Sequence, residues 1–214
     1  MAQRTKGEET RAAILGTAVD IASVEGLEGL TIGRLAKELD MSKSGLFGHF
    51  GSKEDLQLAT VRAARRIFIR EVLLPTQAAA AGLPRIWALC DAWLSYMERG
   101  VFRGGCFFFA VSAEFDNRPG LVRDAIAANM KEWLDYLAQL IREAQDRGEI
   151  TADHDPDQIA FELHGYDLSA NWAMQLYGDT QAPNRARFAI LNRLHSITTN
   201  PDASLPSQAQ YSVR

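Results

Sequence analysis

The chain is poor in cysteine and has no long apolar run. Cys90 and Cys106 are its 2 cysteines, and their separation fits none of the paired spacings of a zinc site. We interpret both as reduced thiols in the core, with no metal bound. Apolar stretches such as residues 101–111 are far shorter than the roughly 20 residues that cross a bilayer, and the N-terminus is polar rather than signal-like. We therefore expect a cytoplasmic protein with no membrane partner.

The sequence also lacks an excess of positive charge. Its formal net charge is -4, and residues 1–66 carry ten Lys and Arg against nine Asp and Glu. This balance disfavours a protein that is basic as a whole. Any binding of nucleic acid has to come from a few well-placed cations and from helix N-termini.

Strand patterns are missing as well. Apolar residues recur at spacings of three and four almost throughout, and alternating runs of β-branched residues do not occur. The 47% hydrophobic and 23% charged residues are typical of a globular protein, so we expect an all-α fold. About nine helices are predicted, near residues 8–25, 31–39, 42–50, 52–75, 84–100, 106–115, 119–148, 156–177 and 183–199.

The second and third helices have the pattern of a helix-turn-helix. Both are short, a tight turn at Asp40 and Met41 separates them, and apolar residues face inward at Leu35, Leu39, Leu46 and Phe50. Such a unit places the N-terminal end of its third helix in the major groove of duplex DNA. Small or cationic residues occupy that end here, and two glycines make the segment a poor helix by propensity. A need for close approach to DNA explains both features.

Polar groups around this end suit phosphate oxygens. Thr31 and Ser42 are good N-caps, Lys43 and Lys53 flank the helix starts, and His49 can donate from its imidazole. Each of them also has an ordinary structural explanation as a cap, a solvated charge or a local hydrogen bonder. The full predicted DNA-binding set is Thr31, Ser42, Lys43, Ser44, Gly45, Phe47, His49 and Lys53.

Residues 10–63 resemble the DNA-binding domain of the TetR family of bacterial repressors. The resemblance is specific because of the motif at residues 46–56, which comes after the serine cap of the third helix. Its pattern is Leu-aromatic-x-His-Phe-x-Ser-Lys-Glu-x-Leu. It implies a homodimer on a pseudo-palindromic operator, released from DNA by a small-molecule effector. It also implies that Ser44, Gly45 and the aromatic position lie at the groove, with Lys53 near phosphate. The family usually has Tyr where this chain has Phe47, so that contact has to be apolar, for example with a thymine methyl.

The same resemblance implies a sensing domain in the C-terminal half, which is rich in aromatic residues. Small-molecule sites are usually apolar cavities with a few polar groups, although any single ring is more often plain core. We expect a pocket for a small apolar or aromatic effector, enclosed by the fifth to eighth helices. Its predicted lining is Trp93, Phe107, Trp133 and His164. No cofactor is expected.

Apolar stripes on the last two helices predict a dimer interface. They are longer than a contact between two helices of one chain requires, and pairing with a second copy makes a four-helix bundle. The predicted interface residues are Ile159, Leu163, Tyr166, Ala170, Met174, Phe188, Leu191 and His195.

We therefore expect a DNA-binding domain at residues 1–52 and a ligand-binding and dimerisation domain at 53–200. A disordered tail is expected at 201–214, which is rich in Ser, Gln, Ala and Pro. Control by a protein partner, or by no effector at all, stays open as an alternative. An enzyme is a remote alternative, because only Asp153-His154-Asp155 resembles a metal or catalytic cluster and its aspartates fit a helix start. No nucleophile motif or phosphate-binding glycine loop is present.

Overall fold

The structure, a computed structural model, describes residues 6–200 and 205–211. Within these ranges it has no strand, only an isolated antiparallel bridge between Ile150 and Thr198, which confirms the all-α prediction. Nine α-helices of eight or more residues lie within these ranges: α1 (Lys6–Gly29), α2 (Ile32–Leu39), α3 (Lys43–Phe50), α4 (Lys53–Phe68), α5 (Leu83–Glu98), α6 (Phe107–Phe115), α7 (Leu121–Asp146), α8 (Pro156–Tyr177) and α9 (Ala182–Ile197). A π-helical turn at Ile69–Leu73 and a short helical segment at Leu74–Thr76 continue α4. None of the described helices is both long enough and apolar enough to span a bilayer.

Local capping signals set the helix starts. The Thr31 hydroxyl oxygen accepts a hydrogen bond from the Arg34 amide at 3.0 Å, and Asp155 accepts one from the Asp157 amide at 3.0 Å. Ser52 accepts from the Asp55 amide at 3.0 Å and donates to the Asp55 carboxylate at 2.6 Å. The expected capping box is therefore present, with its return bond made between the two side chains.

α1 is interrupted near its end, at Gly26, whose φ of 74° lies in the left-handed region. The sequence predicts a helix end here, but the structure adds another turn after the break. The Glu114 carboxylate of α6 makes this possible, because it accepts from the Leu27 amide at 2.7 Å and the Glu28 amide at 2.8 Å. A Cβ at Gly26 would lie 2.6 Å from a Glu114 oxygen, so the break needs glycine for space as well as for φ.

The chain divides into two compact units. The first comprises Met1–Ile67 and Phe102–Asn129, and the second comprises Phe68–Val101 and Met130–Arg214. α6 thus belongs with the N-terminal helices, a grouping that differs from the domain boundary expected between residues 52 and 53. Close backbone approach explains it: a Cβ at Gly104 would lie 1.8 Å from the Ser23 carbonyl oxygen, so the segment before α6 packs directly on α1.

The second unit is built on α5, α8 and α9. α8 and α9 pack against each other and both contact α5. Arg187 of α9 is buried and bridges to α5, donating to Asp91 at 2.7 Å and to Glu98 at 2.6 Å. The ion pairs of Arg187 with Asp91 and Glu98 thus join α9 to α5 inside this unit.

The C-terminal segment differs from the expected disordered tail where it is described. A short 3-10 helix forms at Gln208–Tyr211. The Tyr211 ring lies 5.7 Å from the Trp87 ring, and the Arg187 guanidinium lies 5.9 Å from the Tyr211 ring centre. These contacts order residues 205–211 against the second unit, whereas 201–204 and 212–214 lie outside the described residues.

Candidate nucleic-acid interface

The turn between α2 and α3 has the predicted helix-turn-helix form. Asp40 ends α2 in the left-handed conformation at φ 51°, and the Met41 amide bonds to the Ala36 carbonyl at 3.0 Å. Leu35, Leu46 and Phe50 are buried as predicted, while Leu39 is half-buried. This apolar contact fixes α3 against α2 and leaves the opposite side of α3 to solvent.

The N-terminal end of α3 is exposed. Ser42, Lys43, Ser44 and Gly45 all face solvent, and Phe47 is 55% exposed despite its aromatic ring. The Ser42 hydroxyl accepts from the Gly45 amide at 3.1 Å and lies 3.2 Å from the Ser44 hydroxyl. The predicted groove-facing residues thus form one continuous surface of small polar groups beside a single apolar ring.

Thr31 and Lys43 come together at the start of α2. A Cβ at Gly33 would lie 3.9 Å from the Thr31 hydroxyl oxygen and 3.7 Å from the Lys43 ammonium nitrogen. The helix N-terminus and a cation therefore share one surface. That combination is suited to a phosphate oxygen and does not require a strongly basic protein.

Lys53 already has an anionic partner in the structure. Its ammonium donates to the Glu28 carboxylate at 2.8 Å and to the Glu28 carbonyl at 3.2 Å. Hydrogen bonds from Lys53 and Gln57 lower the pKa of Glu28. Both members of this ion pair are partly exposed, so Lys53 remains accessible to a phosphate that competes with Glu28.

Arg11 of α1 is a cation that contacts α3 and was not predicted from the sequence. Its guanidinium lies 4.9 Å above the Phe50 ring, and the ring of half-buried His49 lies 6.3 Å from the same ring. Arg34, by contrast, is held by Glu25 at 2.9 Å and Glu38 at 2.6 Å, and these bonds raise its pKa. The pairs Arg11–Phe50 and Arg34–Glu25 each join two helices, so only the fold reveals them, whereas Arg34 and Glu38 have the i, i+4 spacing of a single helix.

The predicted effector residues fall in both units. In the second unit, Trp93 is buried and the Trp133 indole donates to His164 Nδ1 at 3.1 Å. Phe107 is buried in the first unit, where its ring lies 6.1 Å from Phe102. The structure thus brings together Trp133 and His164 of the predicted set. Burial lowers the pKa of His164 to about 4, so the imidazole is neutral and its Nδ1 can accept a hydrogen bond from the indole N–H.

The predicted dimer residues divide between the inside and the outside of the protomer. Ile159, Leu163 and Leu191 are buried in the core of the protomer, and Ala170 is buried but also lines a groove between α8 and α9. The stripes are the inner faces of α8 and α9, because the packing of these two helices on each other and on α5 already uses them. Tyr166, Met174 and His195 are half-buried, and only Phe188 is exposed.

The outer side of α8 and α9 carries different apolar groups. A groove of about 300 Å³ between them is lined by small residues and a few larger ones: Tyr166, Ser169, Ala170, Ala173, Ala182, Arg185, Ala186 and Ala189. Large exposed side chains follow α8 at Phe161, Trp172 and Leu176. The apolar periodicity of α8 does not predict these three residues, because each interrupts, rather than continues, the inner stripe.

The Asp153-His154-Asp155 cluster is a helix start. Asp155 caps α8, and the His154 carbonyl accepts from Gln145 at 2.8 Å. Across the described ranges, no three His, Cys, Asp or Glu side chains are placed to hold a metal ion.

Comparisons with known proteins match both halves of the chain. The family model of the Tetracyclin repressor-like C-terminal domain matches residues 82–190, about half of the chain. The model of bacterial regulatory proteins of the tetR family matches residues 14–60.

Individual relatives agree. The transcriptional regulator AcuR of Cereibacter sphaeroides is 31% identical over 140 residues, which span 64% of this chain and 63% of AcuR. A TetR transcriptional regulator from Chloroflexus aurantiacus superposes with a TM-score of 0.83 at 26% identity, covering 90% of this chain and 98% of that one. AibR, solved with isovaleryl coenzyme A and operator DNA, superposes with a TM-score of 0.67 at 25% identity. The match covers 87% of this chain and 97% of AibR.

The ion pair between Lys53 and Glu28 predicts opposite effects on binding of duplex DNA. Lys53→Ala should weaken binding to all duplexes alike, by roughly tenfold near about 0.1 M salt, and lower the salt slope by about one unit, because one phosphate contact is lost. Glu28→Gln should strengthen binding to every duplex, because it removes the anion that competes for the ammonium. Anisotropy titrations over several salt concentrations measure both. A loss that depends on base sequence would contradict this role of Lys53.

The buried His164 predicts a loss of stability in acid. Its folded pKa of about 4 lies below the ordinary 6.5, so the unfolded chain binds the extra proton between these values. The free energy of unfolding should fall as pH drops from 6.5 to 4, by about 3 kcal/mol relative to His164→Gln. The glutamine oxygen still accepts from Trp133. Urea unfolding at a series of pH values measures the difference, and parallel curves for the two proteins would contradict it.

Proposed function

Since the chain belongs to the tetR family of bacterial regulatory proteins, we propose that it is a repressor that a small molecule releases from its operator. In this proposal two copies bind a pseudo-palindromic DNA site, each with α3 in the major groove. Membership of a family of DNA-binding regulators makes the chain a transcriptional regulator and not an enzyme. The repressor role, the dimer and the effector are the parts that we propose.

The exposed N-terminal end of α3 is the observation that carries the proposal. Ser44 and Gly45 present a hydroxyl and a bare backbone beside the 55% exposed ring of Phe47. In such a unit, polar groups read base edges and an apolar ring fits a thymine methyl. Thr31, Lys43 and the start of α2 supply the phosphate contacts that hold α3 in register. AibR, a structural neighbour, was solved on operator DNA, which supports the same docking here.

The outer side of α8 and α9 supports assembly as a dimer. Phe161 and Trp172 are eleven residues apart, close to three helical turns, so they lie on one face of α8 with Leu176 a turn further on. Their exposed fractions are 68%, 51% and 62%. Exposed apolar stripes of this size mark interaction sites. A second copy placed there completes a four-helix bundle, with the alanine-lined groove allowing close approach.

An effector site in the second unit is supported by its buried aromatic and polar groups. Phe68, Tyr96 and Trp133 form edge-to-face ring contacts at 5.8 and 5.3 Å from Phe68, and Trp133 leads on to His164. Apolar surroundings with a few polar groups are typical of small-molecule sites. The neighbour AibR binds isovaleryl coenzyme A, which supports small-molecule control in this fold.

Selection of duplexes from a random pool by the purified protein tests DNA recognition. We expect a pseudo-palindromic consensus. Ser44→Ala and Gly45→Ala should change the preferred bases, each with a loss of about 1–3 kcal/mol on the selected site and little loss on random DNA. Lys53→Ala is the control, since it should weaken both duplexes equally. Equal losses on both duplexes from the Ser44 change would mean that this residue does not read bases.

The dimer has its own test. Trp172→Lys places a charge in the proposed interface of each copy and should give a monomer with at least tenfold weaker operator binding. Leu121→Lys is a matched control, because Leu121 is an apolar residue of α7 with 60% exposure. Sedimentation at micromolar concentration measures the assembly. A wild-type protein that sediments as a stable monomer would remove the dimer from the proposal.

A further inference from the structure

Asp167 of α8 is a buried carboxylate that the proposed DNA-binding activity does not use. Its side chain is fully buried, and neither carboxylate oxygen has a hydrogen-bond donor among the residues that the structure describes. Buried charges in proteins are normally paired or hydrogen-bonded, because removing them from water is costly. A carboxylate kept in this state therefore needs a functional explanation.

The cation that acts on Asp167 is fully engaged elsewhere. Arg187 of α9 acts on Asp167 through its charge, but its guanidinium donates to Asp91, Glu98 and Ser95 at 2.6 to 3.1 Å. One guanidinium thus stands among the three carboxylates of Asp91, Glu98 and Asp167. Because Arg187 is already shared by two other carboxylates, an ionised Asp167 needs a further cation to balance its charge.

The environment strongly disfavours the unpaired anion. Burial raises the pKa of the Asp167 carboxyl, and Arg187 only opposes this shift. Cys90 of α5 is also fully buried, and both burial and the charge of Asp167 raise the pKa of its thiol. Neither group therefore neutralises the other, and Cys90 offers no strong hydrogen bond.

Asp167 shares a face of α8 with His164, which contacts a cluster of aromatic rings. His164, Asp167 and Asn171 are spaced by three and four residues, so they share one face of the helix, and all three are buried. His164 accepts from Trp133, whose ring lies 5.3 Å from Phe68, and Phe68 lies 5.8 Å from Tyr96. Rings of this kind contact the hydrocarbon part of an organic cation and attract its charge.

We propose that Asp167 is the anchor of an effector site for an organic cation, with an ammonium or guanidinium group on the carboxylate and a hydrocarbon part among the rings of Phe68, Tyr96 and Trp133. The inference rests on the proposed function, since it names the chemical class of its effector. Asp167 is closed off from solvent in this structure, so a cation reaches it only when side chains of α5 and α8 move. Binding is thereby tied to a conformational change in the second unit.

Thermal unfolding of the full-length protein tests the site. The probes are butylammonium and benzylammonium, each compared with an uncharged alcohol of similar size, 1-pentanol and benzyl alcohol. At about 100 times its Kd, a bound cation should raise the wild-type Tm by about 5–10 °C, and the matched alcohol should not. Asp167→Asn should bind the cation at least tenfold more weakly. Asp153→Asn, an exposed acid, is the control and should respond like the wild type.

The same variants separate an anchor from a structural residue. Removal of an unpaired buried carboxylate should raise the Tm of Asp167→Asn and of the apolar Asp167→Leu without any probe. A lower Tm in both variants would show that Asp167 supports the fold. Three results would overturn the inference. They are a lower Tm in both variants, equal stabilisation by alcohol and cation, and no shift with either ammonium ion.

Release from a selected duplex distinguishes this inference from the proposed function. The cation should dissociate the wild-type complex, while the Asp167→Asn complex binds the duplex equally well and resists release. A wild-type protein that selects no duplex contradicts the proposed function, whereas the thermal shift still decides the cation site. A protein that selects DNA but responds to neither ammonium ion contradicts the inference alone.

Discussion

The geometry of the first unit depends on the carboxylate of Glu114 at the break in α1. Two backbone amides freed at Gly26 bond to this carboxylate at 2.7 and 2.8 Å, and an acceptor that carries charge makes each bond stronger. The turn that follows holds Leu27, whose carbonyl accepts from Gln57, and Glu28, which pairs with Lys53. One capped break therefore positions the start of α4 relative to α1, and with it one side of the DNA-facing surface.

The second constraint on that surface is charge. Arg34 and Lys53 are each paired with glutamates, so few cations are available although the first unit contains many. The groups left to attract phosphate are the helix N-termini capped by Thr31 and Ser42, with Lys43 near Thr31. Such a surface should bind DNA weakly where the base sequence is not recognised, because the free energy of non-specific binding scales with the number of phosphates neutralised. In the proposed complex, discrimination between base sequences then depends on the small groups at the start of α3.

Local signals made much of this fold predictable, while long-range contacts remained hidden. Caps at Thr31, Ser42 and Asp155 act within three residues, so the sequence determines those helix starts. The bonds of Glu114 to α1 join residues more than eighty positions apart, and no periodicity encodes them.

The sequence also predicted apolar faces better than their orientation. Periodicity found the stripe through Ile159 and Leu163 but not whether α5 or a second copy covers it. Glu114 and Asp167 show what packing adds to such patterns. Both are carboxylates on apolar helices, yet the first meets two amides and the second meets no donor among the described residues. Within the described ranges, the fold thus supplies hydrogen-bond donors to the Glu114 carboxylate but none to the Asp167 carboxyl. In the proposed site, an organic cation from outside the chain supplies the partner that the packing around Asp167 does not.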